Sequence, residues 1–213
     1  MTTTSPEYLL LCLGCYLIGA IPFAYLMLKH RHQLDIRNEG TGNVGAMNAF
    51  DVTGSKFSGI LVFFLDMLKG LIPTLVLLFV FKLNSYFIVI PLVLLVVGHN
   101  FSVFLKFKGG RGLATATGIF LIINFWLVLY WCIFYLIVYK IKKNVHVATV
   151  CALILLPFAM IFTQDWILPF TYGFATFGKA TFELLFALSS SIVIVILLKH
   201  INPIFELLTN NKK

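Results

Sequence analysis

The sequence predicts an all-α integral membrane protein: a seven-transmembrane-helix bundle whose short, broken helices surround cytoplasmic glycine-rich loops. Three observations carry that expectation. Of the 213 residues, 60% are hydrophobic and 11% charged, at a mean hydropathy of +0.98, whereas a soluble domain carries about 25% charged residues. Apolar runs follow one another along the whole chain, and basic residues gather between alternate runs. The chain reads as a single polytopic membrane domain over residues 1–213, without a separate soluble part.

The apolar runs fall at about 8–28, 58–81, 86–98, 113–123, 125–139, 145–162 and 182–198. A full crossing takes ~20 residues. The first, second, sixth and seventh runs come close, while the third and fourth fall short and flank a polar, glycine-rich segment. The first run continues through Ile21-Pro22-Phe23-Ala24-Tyr25 with no small-residue cleavage site, so it reads as a retained helix and not a signal peptide. Leu113–Tyr139 is either one long tilted helix or two helices with a turn at Asn124; the turn gives seven segments, its absence six. Cys12, Cys15, Cys132 and Cys151 all lie inside apolar runs, where cysteine behaves as a small hydrophobe. Neither a metal site nor a disulfide framework is expected.

Charge sets the orientation. Thirteen of the 16 Lys and Arg fall in four clusters: Lys29, Arg31, Arg37 and Lys56; Lys106, Lys108 and Arg111; Lys140, Lys142 and Lys143; Lys199, Lys212 and Lys213. Only Lys82 and Lys179 lie in the intervening loops, and Lys69 lies within a run. The positive-inside rule puts all four clusters in the cytoplasm, with the N-terminus outside and the C-terminus inside, which favours an odd number of crossings. The net charge of +8 needs no nucleic-acid partner, because anionic lipid headgroups attract the same clusters.

Two loops carry the chemistry. In Gly109-Gly110-Arg111-Gly112, three glycines in four positions permit a nest of backbone N–H groups for an anion. Arg111, Lys106 and Lys108 add charge, and a guanidinium grips phosphate oxygens in a fork. Thr115 and Thr117 open the next helix, whose N-terminus also favours an anion. Just before it, His99 and Asn100 close a span, where polar groups normally have a partner. The second loop, Gly40-Thr41-Gly42-Asn43-Val44-Gly45-Ala46-Met47-Asn48, alternates small residues with hydroxyl and amide groups and suits a phosphate or a polyol. Walker A spacing is absent, which argues against nucleotide hydrolysis. Asp66 and Lys69 lie three apart on one helix face and can neutralise each other, as a functional pair or a structural clip. His30 and Asp35 have the His-x4-Asp spacing of soluble-type glycerolipid acyltransferases, without the rest of that signature. His146 and His200 stand at cytoplasmic span ends.

Together these stretches resemble the integral-membrane bacterial acyltransferases that use acyl phosphate to acylate glycerol 3-phosphate, the PlsY family. Gly19–Tyr25, Asp35–Arg37 with Gly40–Asn48, Leu65–Gly70 and Gly98–Gly118 carry the resemblance, in the family's order and spacing, and it fades in the C-terminal half. It implies a seven-span enzyme of the bacterial cytoplasmic (inner) membrane. Acyl phosphate and sn-glycerol 3-phosphate would give 1-acyl-sn-glycerol 3-phosphate and phosphate, the first acylation of phospholipid synthesis, with no metal, cofactor or acyl-CoA. Carried over by position, Thr41, Arg111 and His200 are the expected catalytic residues. Gly40, Gly42, Asn43, Gly45, Asn48, His99, Asn100, Lys106, Gly109, Gly110, Gly112 and His146 are the expected substrate-binding residues, with the acyl chain between the spans.

The chain departs from the family pattern at several places. Thr41 stands for a serine, Arg111 for a lysine, Asp51 for an arginine, His146 for a serine, Ser102 for a proline, and Pro203 for an asparagine that Asn202 misses by one residue. Two other readings therefore remain open at this stage. One is a non-catalytic paralogue binding phospholipid or a membrane partner, for which Asp51 speaks most strongly. The other is a transporter of a phosphorylated metabolite, suggested by broken spans around a polar loop.

Overall fold

The computed structural model describes residues 5–172 and 181–210, so Lys179, Lys212 and Lys213 lie outside the described residues. Within these the regular structure is helical. The helices are α1 (Pro6–Ala20), α2 (Phe23–His32), α3 (Ala46–Thr53), α4 (Lys56–Leu75), α5 (Ser85–Asn100), α6 (Leu113–Ile123), α7 (Phe125–Lys142), α8 (Val145–Phe162), the short α9 (Gln164–Ile167), α10 (Thr181–Leu198) and α11 (Ile201–Asn210). Six helical stretches are long and apolar enough to cross a membrane: Pro6–His32, Lys56–Val80, Tyr86–Leu105, Phe125–Lys142, Val145–Phe162 and Thr181–Leu198.

The third apolar run corrects the expectation of a short segment. It gains length because Gly98, His99 and Asn100 stay helical and a 3-10 turn at Val103–Leu105 prolongs it. The fourth run is short, as expected, and the chain does turn at Asn124. That buried side chain caps α7 by accepting from the Trp126 amide, and its amide donates to Ile167 O at 2.9 Å and Thr171 Oγ1 at 2.7 Å. Phe125, Trp126, Trp166 and Phe170 gather around this end, as aromatic rings do at a membrane interface.

The first span is broken, and the break organises the fold. Pro22 lacks an N–H and pushes Ile21 out of helical geometry (ψ 117°), so α1 stops at Ala20 and α2 restarts at Phe23. Carbonyls freed at membrane depth need donors from protein. Ser102 Oγ donates to Ala20 O at 2.6 Å and Lys69 Nζ to Ile21 O at 2.9 Å. Nearby, Tyr16 donates to Phe101 O at 2.8 Å. Lys69 is paired with Asp66 at 2.9 Å, both side chains buried, as their i,i+3 spacing predicts.

Helices approach closely where glycines face carbonyls. A Cβ on Gly19 would strike Leu95 O and one on Gly98 would strike Tyr16 O, so α1 and α5 lock reciprocally; Gly70 and Gly118 do the same between α4 and α6. Small residues let backbones approach where lipid offers no hydrophobic drive. The main core packs α5, α6, α8 and α10 through Leu92, Leu95, Ile119, Leu156, Leu188 and Ile192, all buried. Only Leu127 of α7 is buried, and the outward Leu, Ile and Phe side chains of the bundle form an apolar surface suited to lipid.

Ser102→Ala is expected to lower thermal stability in detergent by about 1–3 kcal/mol, the cost of an orphaned buried carbonyl. Ser102→Thr retains the hydroxyl and should lose less.

Candidate active site

The two glycine-rich loops meet. Gly40, Thr41, Gly42 and Asn43 line one side of a cavity of about 740 Å³ whose other walls are Lys108, Gly109, Arg111, His146, Lys199, Asn202, Pro203, Glu206 and Leu207. Ligand pockets commonly span about 300–1,000 Å³. Three cations face one carboxylate across this space. Burial presses Arg111 and Lys199 below their ordinary pKa, and the nearby guanidinium lowers Lys199 further. An arriving anion relieves both costs.

Arg111 is oriented by α8. Its Nη1 lies 3.4 Å from His146 Nδ1; a guanidinium only donates, so Nδ1 accepts and the ring proton sits on Nε2. Asn144 caps α8 through the His146 and Val147 amides and so fixes where His146 begins the helix. The His146 and His200 rings meet edge to face at 5.9 Å. His200 is itself buried, its Nδ1 3.0 Å from Ile196 O.

The glycines serve by giving room, and most of the loop amides have protein partners. Gly109 N donates to Asn100 O and Gly110 N to His99 O. A Cβ on Gly110 would strike His99 Nε2, and one on Gly112 would strike Asn100 Oδ1. Only Gly112 of the three takes a left-handed φ, at 85°. In the first loop, Thr41 N donates to Asn48 Oδ1 and Gly42 N to Glu39 O. Side chains of Arg111, Lys108 and Lys199 carry the cationic charge at this cavity.

Several residues singled out in the sequence stand behind the lining. Asn48 is buried and holds the first loop from within: its amide reaches Ile36 O, Glu39 O and Asn43 O at 3.3, 3.0 and 3.0 Å. Gly45 caps α3. His99 and Asn100 back the second loop; Asn100 Nδ2 donates to Val195 O at 3.0 Å, and His99 Nδ1 stands 3.7 Å from Asp66 Oδ1. Lys106 takes a left-handed turn (φ 51°) that ends the 3-10 segment, and Lys108 is the lysine of this loop that reaches the cavity. The Thr115 and Thr117 hydroxyls donate to Asp66 O and Leu113 O. His30 and Asp35 form no unit, since Asp35 pairs with Arg37, which pushes its carboxyl down to about 2. Asp51 is exposed on α3 and is absent from the lining.

Lys199, Asn202, Glu206 and Leu207 line the cavity without having been singled out as site residues. Their signal was the amphipathic segment after His200, with Asn202 and Glu206 four residues apart, on one helix face. Beneath the cavity, α6, α7, α8 and α10 enclose an apolar crevice lined by Leu113, Phe120, Trp131, Leu156 and Ile196.

A helical membrane bundle with a cationic pocket at one end defines an integral-membrane protein suited to an anionic ligand. Comparison with known proteins narrows that class. The family described as glycerol-3-phosphate acyltransferase matches residues 9–210. The chain is 37% identical to the glycerol-3-phosphate acyltransferase of Syntrophotalea carbinolica, over 74% of this chain and 80% of that one. It is 38% identical to that of Aquifex aeolicus, over 68% and 75% respectively. The crystal structure of PlsY, an integral membrane glycerol 3-phosphate acyltransferase, in its glycerol 3-phosphate form superposes with a TM-score of 0.78 at 31% identity, covering 96% of this chain and 93% of that one. Its lysophosphatidic acid form gives 0.75 at 30% identity. The chain belongs to the glycerol-3-phosphate acyltransferase family.

Burial pushes His200 down to about 4 from an ordinary 6.5. The unfolded chain then binds the extra proton first, so stability is full above about 6.5 and falls as pH drops toward 4. Thermal unfolding in detergent from pH 7.5 to 4 should show a loss of about 2–3 kcal/mol that His200→Asn flattens.

Proposed function

We propose that the protein transfers an acyl group from acyl phosphate to the 1-hydroxyl of sn-glycerol 3-phosphate, giving 1-acyl-sn-glycerol 3-phosphate and inorganic phosphate. The acceptor oxygen forms the new ester bond as the carbonyl–phosphate bond breaks. The hydroxyl proton leaves with the phosphate or with solvent. Acyl phosphate is already activated, so the protein's work is to hold two phosphates, align a hydroxyl and stabilise charge developing on the carbonyl oxygen.

The convergence of the Gly40–Asn43 and Lys108–Arg111 stretches on one cationic cavity supports this reading most directly. Arg111, Lys108 and Lys199 hold phosphate oxygens, with Thr41, Asn43, His146 and Asn202 as hydrogen-bonding partners. Gly40, Gly42, Gly109, Gly110 and Gly112 keep the walls thin enough for the substrates to approach. Asn48, His99, Asn100, Gly45 and His200 position the loops and the lining from behind. The acyl chain lies between the spans. Asp51 is no obstacle, because its carboxylate stands outside the lining.

The same reading extends to the membrane. The short α6 makes the seventh crossing of one polytopic domain in the bacterial cytoplasmic membrane, with the N-terminus outside and the cavity and C-terminus at the cytoplasmic face. Soluble glycerol 3-phosphate then meets the cavity from the cytoplasm while the acyl donor arrives along the inner leaflet.

Purified protein given palmitoyl phosphate and radiolabelled glycerol 3-phosphate should form lysophosphatidic acid. Arg111→Ala is expected to lower kcat/KM at least 100-fold, and Arg111→Lys to recover part of it because the charge survives without the fork. Absence of product with the wild-type protein would overturn the reading.

A further inference from the structure

We propose that Glu206 is the specificity-determining residue of the cavity: its carboxylate receives the hydroxyl end of the polyol acceptor and turns away acceptors carrying a second anionic group there. The inference rests on the function proposed above and goes further, to the way the acceptor is chosen and oriented.

The register of α11 fixes where the carboxylate stands. Asn202 and Glu206 lie four residues apart and both line the cavity, one turn above the other. Their neighbours Ile201 and Phe205 are 57% and 66% exposed and stand outside the lining. Glu206 is itself exposed and shares the lining with Lys108, Arg111 and Lys199, at the edge of the cavity open to solvent.

Its chemistry is unlike the rest of the lining. Glu206 is the one acidic residue there, against three cations. Among the described residues, the ion pairs within 4.0 Å are Arg37–Asp35, Lys69–Asp66 and the His99–Asp66 contact, so Glu206 is not consumed in a salt bridge. Its field still reaches Arg111 and opposes the effect of burial there. An ionised carboxylate accepts hydrogen bonds and donates none. It suits the two hydroxyls of a glycerol phosphate and repels a carboxylate or second phosphate in the same place. The cavity thereby acquires a polarity, with the phosphate end toward Arg111 and Lys108 and the hydroxyl end toward α11. A pocket of cations alone would accept any compact polyanion in either direction.

The full-length protein in detergent is compared with Glu206→Gln and Glu206→Asp, using 3-phosphoglycerate and inorganic phosphate as probes. 3-Phosphoglycerate keeps the phosphate and middle hydroxyl of the acceptor but bears a carboxylate at the far end. In Glu206→Gln its binding, read by thermal shift and as inhibition of acylation, should strengthen about tenfold relative to that of inorganic phosphate. The KM for glycerol 3-phosphate should rise more than kcat falls. Glu206→Asp should keep the discrimination. Equal strengthening for both probes would reduce Glu206 to a contributor of overall charge and overturn the proposal, as would no change in either. Because the thermal shift needs no turnover, a wild-type protein without acylation would count against the function above while the binding ratio still decides Glu206.

Discussion

The buried Asp66–Lys69 pair is the constraint on which the rest depends. It lies inside α4, where a charged group without partners is expensive, and burial alone does not make such a pair stabilising. Its geometry supplies what isolation would not. Lys69 also donates to Ile21 O, the carbonyl released where Pro22 breaks the first span, and Asp66 O accepts from Thr115 at the start of α6. Asp66 Oδ1 stands 3.7 Å from His99 Nδ1, and His99 in turn leaves room at Gly110 for hydrogen only. One ion pair thus ties the break in the first span, the start of α6 and the floor of the phosphate loop into one polar seam. The seam keeps irregular backbone at membrane depth satisfied, which is the condition for having a loop there at all.

Glycine has two packing roles in this chain. Between α1 and α5, and between α4 and α6, it permits backbone contact that a Cβ would forbid. In Gly109–Gly112 it lets the loop lie flat on the end of α5, against His99 and Asn100, with two of its amides bonded to those residues' carbonyls. Those two bonds fix the loop rigidly on α5. That rigidity holds Arg111 and Lys108 at the cavity, and preorganised charge is worth more than charge that must first be gathered.

Most of the architecture was legible in the sequence because bilayer crossing imposes length and apolarity on every span. The pairing of Asp66 with Lys69 and the meeting of the two glycine-rich loops follow from local spacing or charge, while Asn124 marked a turn as one of two readings that the structure decides. The third span was judged too short because its apolar run stops at Gly98, whereas the helix runs on to His99 and Asn100 and a 3-10 turn prolongs it. They remain helical because Val195 and the 109–110 loop satisfy them from outside the segment. The C-terminal wall was harder to see for a related reason. Lys199 reads as one more positive-inside residue and Glu206 as one polar residue on a surface helix. Only the packing of α11 across the cavity end gives them a common ligand. Lys106 and Lys108 differ by a left-handed turn at Lys106 and Phe107, which spacing does not reveal.

Where the family pattern is broken at the lining, the chain keeps the kind of functional group. Thr41 keeps a hydroxyl at the lining, Arg111 keeps a cation there, and Asn202 keeps a carboxamide there although the register is one residue off. In each case the functional group is kept while its stem changes. His146 shows the same logic from another side: by accepting from Arg111 it aims a guanidinium that stands for the family's lysine, and it does so from the first turn of α8, at the position where the family pattern has a serine. Asp51 reverses a charge, yet its place on the exposed face of α3 keeps that reversal outside the lining. The departures thus fall into those at the lining, which conserve charge or hydrogen-bonding type, and two outside it: Asp51 on the exposed face of α3, and Ser102, whose hydroxyl serves the carbonyl freed at the break of the first span.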